Sequence, residues 1–300
     1  MFCVIIITII SCIGDEMDKI LLINKEKGYT SRDVVNVISG IFKTKKVGHF
    51  GTLDPLATGV LIIGIGACTK VLNILEEDDK EYICKVLLGV STDTYDVTGN
   101  VLCENSDFSL DKDKLVEVLN SFLGRNIQEV PIYSAVKVNG KKLYEYARNN
   151  EKIDLPKREV FIKSISLLDF SFNSFTFKVL VSKGTYIRSI VNDISKRLGI
   201  PMCMSELTRT MQDKFLLKDC YTISDVKNNN FKFLDIEDVV SCKKMKISED
   251  IYKKVMNGSL IDNIYDSKYV LFMNDDLRYA LYGVYNKDKK YMKPYLFFKE

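Results

Sequence analysis

Residues 46–60 read KVGHFGTLDPLATGV, and the rest of the chain is organised around this stretch. Its glycines permit backbone angles that other residues resist, and Pro55 pushes Asp54 towards an extended conformation. The apolar run that follows, residues 60–63, is typical of a buried strand. An Asp-Pro pair in a glycine-rich loop is also a common turn former. These residues alone therefore leave two interpretations open, a turn and a catalytic carboxylate.

The totals limit the class of protein. Three hundred residues are enough for one large or two moderate domains. A net charge of +3 and a pI near 8.2 permit an acidic polymer as partner without requiring one. The eight cysteines form no C-x-x-C pair and the chain has one histidine, which disfavours a zinc site of the usual spacing. Scattered single cysteines fit a reducing compartment, so we expect a cytoplasmic protein.

The first residues are strongly apolar between Phe2 and Ile13. This run is shorter than the roughly 20 residues that a membrane-spanning helix needs. It also lacks the preceding basic residues of a signal peptide. We interpret residues 1–16 as an upstream extension, with translation beginning at Met17.

Apolar periodicity outlines the remaining elements. It predicts strands at residues 19–24, 60–63, 79–90 and 175–181, and helices from residue 30 or 31, at 69–75, at 115–123 and at 187–198. Residues 222–232 are polar and asparagine-rich, which predicts a linker. Beyond it we expect a helix at 249–256 and strands at 269–273, 278–285 and 291–298, forming a small half-barrel. The predicted organisation is a catalytic domain at 17–220 and a β-rich domain at 221–300.

Several segments carry a family resemblance in the right order. They are G-H-x-G-x-L-D-P-x-A-x-G at 48–59, K-x-Y at 80–82, T-D-T-x-D-x-x-G at 92–99, Q-x-x-P-x-Y-S-A-x-K at 128–137 and S-K-G-T-Y-I-R-S at 182–189. Together they resemble the signatures of the TruB-type tRNA pseudouridine synthases, over roughly Lys19 to Phe215. Val130 replaces a proline of the family pattern, and Thr208 stands where many members have arginine. We interpret residues 92–99 as a structural turn, because Asp, Thr and Gly favour turns.

The resemblance implies both a fold and an activity. The fold is α/β (α+β), a central mixed and mainly antiparallel sheet with flanking helices, followed by a small PUA-like RNA-binding domain. The activity is isomerisation of the T-loop uridine at position 55 of tRNAs to pseudouridine, by base flipping and aspartate catalysis. The implied substrate is the tRNA T-arm, bound by a monomer without a protein partner, membrane, metal or cofactor.

The same resemblance implies the site residues. Asp54 is the catalytic carboxylate, Arg188 pairs with it, and Tyr82 stacks on the target base. The implied substrate contacts are made by Tyr186, by Leu207, by His49 wedged into the base stack and by Lys25 on a phosphate. Three of these residues keep a second interpretation from their own sequence context. Tyr82 would otherwise be the first core residue of a strand face, Lys25 a solvated turn residue and His49 a structural residue.

The chemistry leaves further alternatives. A carboxylate can add to the uracil ring, add to the ribose, or help remove a ribose proton. Lysines and arginines interleaved with tyrosines between residues 141 and 163 suit RNA, although a solvated surface helix carries the same residues. Rival functions are an RNA chaperone that needs no acid, the catalytic subunit of a guide-RNA particle, and a sugar-cleaving hydrolase. The hydrolase would normally need two paired carboxylates, and the sequence frames one.

Overall fold

The computed structural model describes residues 17–71, 74–75, 79–275 and 277–298. The interpretation of residues 1–16 as an extension lies outside this range. Up to residue 220 the elements are β1 (Lys19–Lys25), α1 (Ser31–Ile41), β2 (Val47–Phe50), β3 (Thr58–Ile65), α2 (Cys68–Val71), β4 (Lys80–Leu88), β5 (Val90–Thr92), β6 (Val101–Glu104), α3 (Lys112–Asn120), β7 (Gly124–Glu129), β8 (Lys137–Val138), β9 (Lys141–Lys142), α4 (Leu143–Arg148), β10 (Lys157–Phe170), β11 (Ser174–Val181), α5 (Ile187–Leu198), β12 (Met202–Gln212), β13 (Phe215–Leu216) and a 3-10 turn (Leu217–Asp219). After it follow α6 (Ile223–Lys227), α7 (Ile236–Val239), β14 (Lys243–Lys246), α8 (Glu249–Met256), β15 (Ile261–Asp262), β16 (Tyr269–Asn274), β17 (Leu277–Val284) and β18 (Tyr291–Phe297).

The larger sheet has the strand order β1-β3-β12-β4-β11-β10-β7, with β2 beside β3 and β13 beside β12. Strands β3 and β12 run parallel, and the other neighbours on this path are antiparallel. The predicted mixed, mainly antiparallel sheet is confirmed. Within it Arg209 lies opposite Gly59 on one side and Tyr82 on the other, so β12 joins the strand after the Asp54 loop to the strand that carries Tyr82.

Buried and more exposed side chains alternate along β4 and β11, so each strand has one buried face. On β4 the side chains of Tyr82, Cys84, Val86 and Leu88 are buried on one face, as the sequence predicts. They share a core with apolar residues of α3 and α5. Helix α5 ends at Gly199, whose φ of 69° is the left-handed conformation that glycine adopts without strain.

Strand β1 is buried on both faces. Leu21 and Ile23 pack with α1, whereas Ile20 and Leu22 face a second core. That second core also contains Leu271, Leu281 and Leu296 of the C-terminal sheet. The two sheets therefore share apolar packing, and the division of the chain at residue 220 stays a prediction.

The C-terminal sheet has the order β14-β16-β17-β18-β15 and a core of its own that includes Val255 of α8. The predicted helix at 249–256 and the three predicted C-terminal strands are confirmed. No helix in the described ranges is long and apolar enough to span a membrane.

The predicted linker at 222–232 is wrong. Thr222 caps α6 through a reciprocal pair of hydrogen bonds with Asp225. Phe231 then packs edge-on against Phe42 at a ring separation of 5.8 Å. The polar residues of this segment face solvent while Ile223 and Val226 are buried against α1 and β1, so the segment belongs to the fold.

Candidate active site

Asp54 lies on the loop between β2 and β3, and four hydrogen bonds fix this loop. The Leu53 N–H donates to the Ser31 hydroxyl at 2.9 Å, and that hydroxyl donates back to the Leu53 carbonyl at 3.3 Å. The Gly28 N–H donates to the Pro55 carbonyl at 2.8 Å. Arg209 Nη2 donates to the Gly51 carbonyl at 2.6 Å. The backbone on both sides of the acid is thus anchored to other segments.

Two glycines are required by this geometry. Gly51 has a φ of 75° and Gly59 a φ of 107°, which disfavour side chains. A Cβ on Gly51 would lie 2.5 Å from Nε2 of Gln212, and a Cβ on Gly59 would lie 2.2 Å from the backbone oxygen of Arg209. The close approach of β3 to β12 therefore depends on Gly59.

Lys25 lies beneath the loop and is fully buried. Its ammonium group donates to the carbonyl oxygens of Tyr29 at 2.6 Å, Glu26 at 3.1 Å and Pro55 at 3.4 Å. Burial lowers the pKa of Lys25 to about 8, with the charge of Asp54 opposing the shift. The solvated-turn interpretation is wrong. Its ammonium group is enclosed by backbone oxygens, so Lys25 supports the loop from inside, and the phosphate contact that the resemblance implies stays a prediction.

Arg188, in the first turn of α5, binds the Asp54 carboxylate with two hydrogen bonds. Its Nε donates to Oδ2 at 2.8 Å and its Nη2 to Oδ1 at 3.1 Å. The arginine side chain is 5% exposed and the aspartate side chain 36% exposed. The pair that the resemblance implies is present, with the cation inside and the acid accessible.

Further contacts hold the guanidinium group in place. Nη1 donates to the Thr94 carbonyl at 3.2 Å and Nη2 to the Tyr133 carbonyl at 3.1 Å. The buried Asp96 carboxylate lies 3.9 Å from Nε and accepts hydrogen bonds from Thr94 and Thr98. The turn at 92–99 is therefore structural, as interpreted, and it also orients Arg188. Sequence reasoning missed Asp96, because an Asp that forms a turn and a buried anion look alike in sequence.

A cavity of about 390 Å³ opens beside this ion pair. Its lining brings together five of the sequence-predicted site residues: Asp54, Tyr82, Tyr186, Arg188 and Leu207. Lys80, Ser134 and Arg209 also contribute to it. The volume lies within the range of roughly 300–1,000 Å³ that is typical of small-molecule sites.

The apolar walls of the cavity come from different elements. Tyr82 on β4 and Leu207 on β12 are each 6% exposed. Tyr82 belongs to the core and also lines the cavity, and its stacking on the target base stays a prediction. Tyr186 is the N-cap residue of α5, and the Arg158 guanidinium lies 5.6 Å from the centre of its ring.

His49 lies outside the described lining of the cavity, on β2 opposite Ile63. Burial lowers the pKa of this imidazole, and the charges of Arg32 and Arg209 lower it further. Its Nδ1 atom is buried without a hydrogen-bond partner among the described residues. The role of His49 in the base stack stays a prediction.

Cations and aromatic rings are adjacent around β9 and α4. The Lys141 ammonium lies 4.6 Å from the Tyr146 ring centre, and Lys142 and Arg148 lie 5.4 and 5.1 Å from that of Tyr144. Such pairs combine charge for phosphates with faces for unstacked bases. Among the described residues no group of three or more His, Cys, Asp or Glu side chains is arranged to hold a metal ion.

Comparison with known proteins gives a consistent result. The family model described as TruB family pseudouridylate synthase (N terminal domain) matches residues 40–187. A tRNA pseudouridine synthase B from Oceanobacillus iheyensis is 45% identical over 253 residues, which cover 81% of this chain and 83% of the relative. The protein of the same name from Staphylococcus aureus is 42% identical over 296 residues, covering 92% and 97%.

Solved structures agree on the fold. A chain of a Cbf5-Nop10-Gar1 complex superposes with a TM-score of 0.64 at 26% identity, covering 89% of this chain and 78% of that one. A chain of an H/ACA RNP bound to a substrate RNA containing 2'-deoxyuridine gives 0.67 at 22% identity, covering 95% and 86%, and at that identity it supports the fold alone. With the Asp54–Arg188 pair in a cavity on this sheet and relatives matched over most of their length, the chain belongs to the TruB family of pseudouridine synthases.

Proposed function

We propose that this protein converts a uridine of tRNA to pseudouridine, and that the target is the uridine at position 55 in the T loop. The names of the relatives support tRNA as the substrate. The match to the family motifs around Asp54 and Arg188 supports the T-loop target. The basic, aromatic surface around β9 and α4 supplies groups suited to contacting the phosphates and bases of the T-arm.

One observation carries this proposal: the Asp54 carboxylate is held by two hydrogen bonds from Arg188 at the cavity. Each carboxylate oxygen uses one lone pair on Arg188 and keeps another for the substrate. Because the Arg188 side chain is buried and itself held by two carbonyls, the acid is aimed before the substrate arrives. Such preorganisation is what a reacting carboxylate requires.

The reaction balances without an external reagent. The bond between N1 of uracil and C1' of ribose breaks, the base turns, and a bond forms between C5 and C1'. N1 gains a proton and C5 loses one, so the product is an isomer. We propose that Asp54 labilises the first bond, and all three routes open to a carboxylate remain compatible with its position.

Access to the base requires flipping. Extrusion of a stacked uridine costs a few kcal/mol. Tyr82, Tyr186 and Leu207 offer apolar faces for the extruded ring in the cavity, and their contacts offset that cost. We propose that His49 contacts the RNA beside the vacated position, which its lowered pKa favours, because a neutral imidazole enters a base stack with less desolvation.

We further propose that the protein acts as a monomer, without a protein partner, in the cytoplasm. The six cysteines at described positions are free thiols, and Cys68, Cys84 and Cys203 are buried among core residues. This usage suits a reducing compartment, where tRNA is also found.

The experiment uses a T-arm stem-loop RNA with tritium at C5 of the target uridine, incubated without cofactors. We expect tritium release by the wild type and roughly 10⁴-fold slower release by Asp54→Asn, since the reacting carboxylate is gone. Asp107→Asn, the same change at an exposed acid, should retain wild-type release. If the wild type binds this RNA tightly and releases nothing, the protein is an RNA-binding protein and the proposal is wrong. Tritium release by Asp54→Asn at the wild-type rate would show that Asp54 does not take part in the reaction.

A further inference from the structure

We infer that Gln128 is a positioning residue for this reaction, and that it acts by clamping the backbone of Tyr186. The inference rests on the proposed function for its kinetic consequence. Gln128 lies at the end of β7 and is 3% exposed. It is not among the described residues that line the cavity. Any effect on the reaction must therefore pass through its neighbours.

The clamp consists of two hydrogen bonds to one residue. Gln128 Nε2 donates to the Tyr186 carbonyl at 3.0 Å, and Gln128 Oε1 accepts the Tyr186 N–H at 2.7 Å. A paired residue in an antiparallel sheet exchanges the same two bonds through its backbone. Here a side-chain amide supplies them, because the chain at Tyr186 has left β11 and has not yet become helical.

Tyr186 is the point where such support is needed. It is the N-cap residue of α5 with an extended backbone, and no described side chain caps the helix there. The preceding Gly184 has a φ of 81°, so the chain reverses direction just before it. The next residue of β7 adds a second tie, since the Ser189 hydroxyl donates to the Glu129 carbonyl at 2.9 Å. Two consecutive residues of one strand thus hold the first turn of α5.

The held turn carries two groups of the active site. The Tyr186 ring lines the cavity, and Arg188 presents the Asp54 carboxylate. Loss of the clamp would remove the partner of the Tyr186 N–H and leave the Tyr186 carbonyl with the Ile190 N–H alone, at 3.2 Å, so the first turn would be held less tightly. A displacement of about 1 Å at a catalytic group can cost on the order of 10²-fold in rate. We therefore expect the clamp to affect kcat more than KM, because the apolar contacts that bind the substrate remain.

The decisive variant is Gln128→Glu. A carboxylate can accept the Tyr186 N–H, but it cannot donate to the Tyr186 carbonyl, which it repels. A protonated carboxyl group has one O–H donor and one carbonyl acceptor, so it restores both bonds. The charged groups around this position are Arg158 opposite on β10, Glu129 beside it and Arg188 in α5. Burial and Glu129 favour the protonated form and the two arginines oppose it, so the midpoint is to be measured.

We expect Gln128→Glu to be about 10- to 100-fold slower than wild type at pH 8 and to approach the wild-type rate as the pH falls towards 5. Rates are compared with wild type at each pH, in single turnover of the tritiated T-arm. Gln128→Leu, which has neither bond, should be slow at every pH. Asn126→Asp is the matched control on the same strand, because Asn126 donates to the Phe122 and Gly124 carbonyls and not to Tyr186. The rate of Asn126→Asp relative to wild type should not increase as the pH falls.

A second measurement does not depend on catalysis. The hydrogen-exchange protection factor of the Tyr186 amide should fall in Gln128→Leu, which has no acceptor for that N–H, and should be retained in Gln128→Glu, whose carboxyl group accepts it in either protonation state. The inference is overturned if Gln128→Glu follows wild type at every pH, if its rate remains low at every pH as in Gln128→Leu, or if Gln128→Leu keeps the wild-type protection of the Tyr186 amide. A wild type that releases no tritium would overturn the proposed function instead, and the exchange measurement would still decide the clamp.

Discussion

The Arg188 guanidinium and the Asp54 carboxylate form a two-bond ion pair between residues 134 positions apart in the chain. The planar fork of arginine matches both carboxylate oxygens, a geometry that a lysine cannot reproduce. The pair therefore fixes the orientation of the acid as well as neutralising its charge.

Arg188→Lys keeps the positive charge and loses the fork, so we expect kcat to fall about 10²-fold while the RNA still binds. Single-turnover tritium release and RNA titration measure the two effects. Arg197→Lys is the same change in the last turn of the same helix, and it should leave kcat unchanged. Wild-type turnover in Arg188→Lys would mean that charge alone suffices.

Gly59→Ala should destabilise the fold by about 3 kcal/mol or more, because its Cβ would lie 2.2 Å from the Arg209 backbone oxygen at a φ of 107°. Urea unfolding provides the measurement. Gly40→Ala is the control, since Gly40 lies exposed within α1 and a Cβ there meets nothing within 4 Å. That change should stabilise by about 0.5–1 kcal/mol. Similar losses in both variants would contradict the close approach of β3 to β12.

The free energy of unfolding of the wild type should rise with pH relative to that of a variant without Lys25. Its pKa is about 8 in the fold and 10.5 when unperturbed. Between these values the unfolded chain holds a proton that the folded chain has released. Stability therefore rises with pH across this window, by at most about 1.4 kcal/mol per pH unit.

The quantity to measure is the difference in unfolding free energy between wild type and Lys25→Met from pH 7 to 9.5. Burial raises the pKa values of Cys68 and Cys203, and these thiols contribute equally to both proteins and cancel in the difference. The exposed neighbour provides the control, so Lys27→Met should give a flat difference. A flat difference for Lys25→Met would mean that Lys25 keeps its proton in the fold.

Leu281→Ala should destabilise both sheets. Leu281 is fully buried in the core that also contains Ile20 and Val60, and such truncations cost about 2–5 kcal/mol. Hydrogen exchange should show lower protection in β1 and β3 as well as in β17. Leu277→Ala on the same strand, where the side chain is 43% exposed, should change little. Loss of protection in the C-terminal sheet alone would instead support two independent domains divided at residue 220.

Elements with strict periodicity were predictable from sequence. Strand β4 alternates over nine residues, and α5 places its apolar residues on one face before a terminating glycine. Four of the cavity residues, Asp54, Tyr82, Tyr186 and Arg188, were predictable from the quoted motifs, because each motif supplied a residue type together with its order in the chain. The short helix α6 was not, since its burial depends on packing against α1 and β1, which lie far away in the chain.

The roles of side chains that bind backbone groups far away in the chain could not be predicted from the sequence either. Lys25 looks like any lysine before a turn, and its burial depends on three carbonyl oxygens, one of them thirty residues away. Gln128 belongs to a recognised motif, yet its task depends on the backbone of Tyr186, fifty-eight residues further on. Local pattern carries no information about such a pairing.

The position of β12 in the middle of the larger sheet has a consequence for biosynthesis. This strand lies between β3 and β4 and meets Gly59 through Arg209, across 150 positions of chain. A nascent chain cannot close that gap until residue 212 has been made, which takes roughly 10–40 s at typical elongation rates. Until then β3 and β4 have no neighbour between them and the Asp54 loop lacks its anchor from Arg209. Competence to bind RNA should therefore appear late in synthesis, so that an incomplete polypeptide does not capture its substrate.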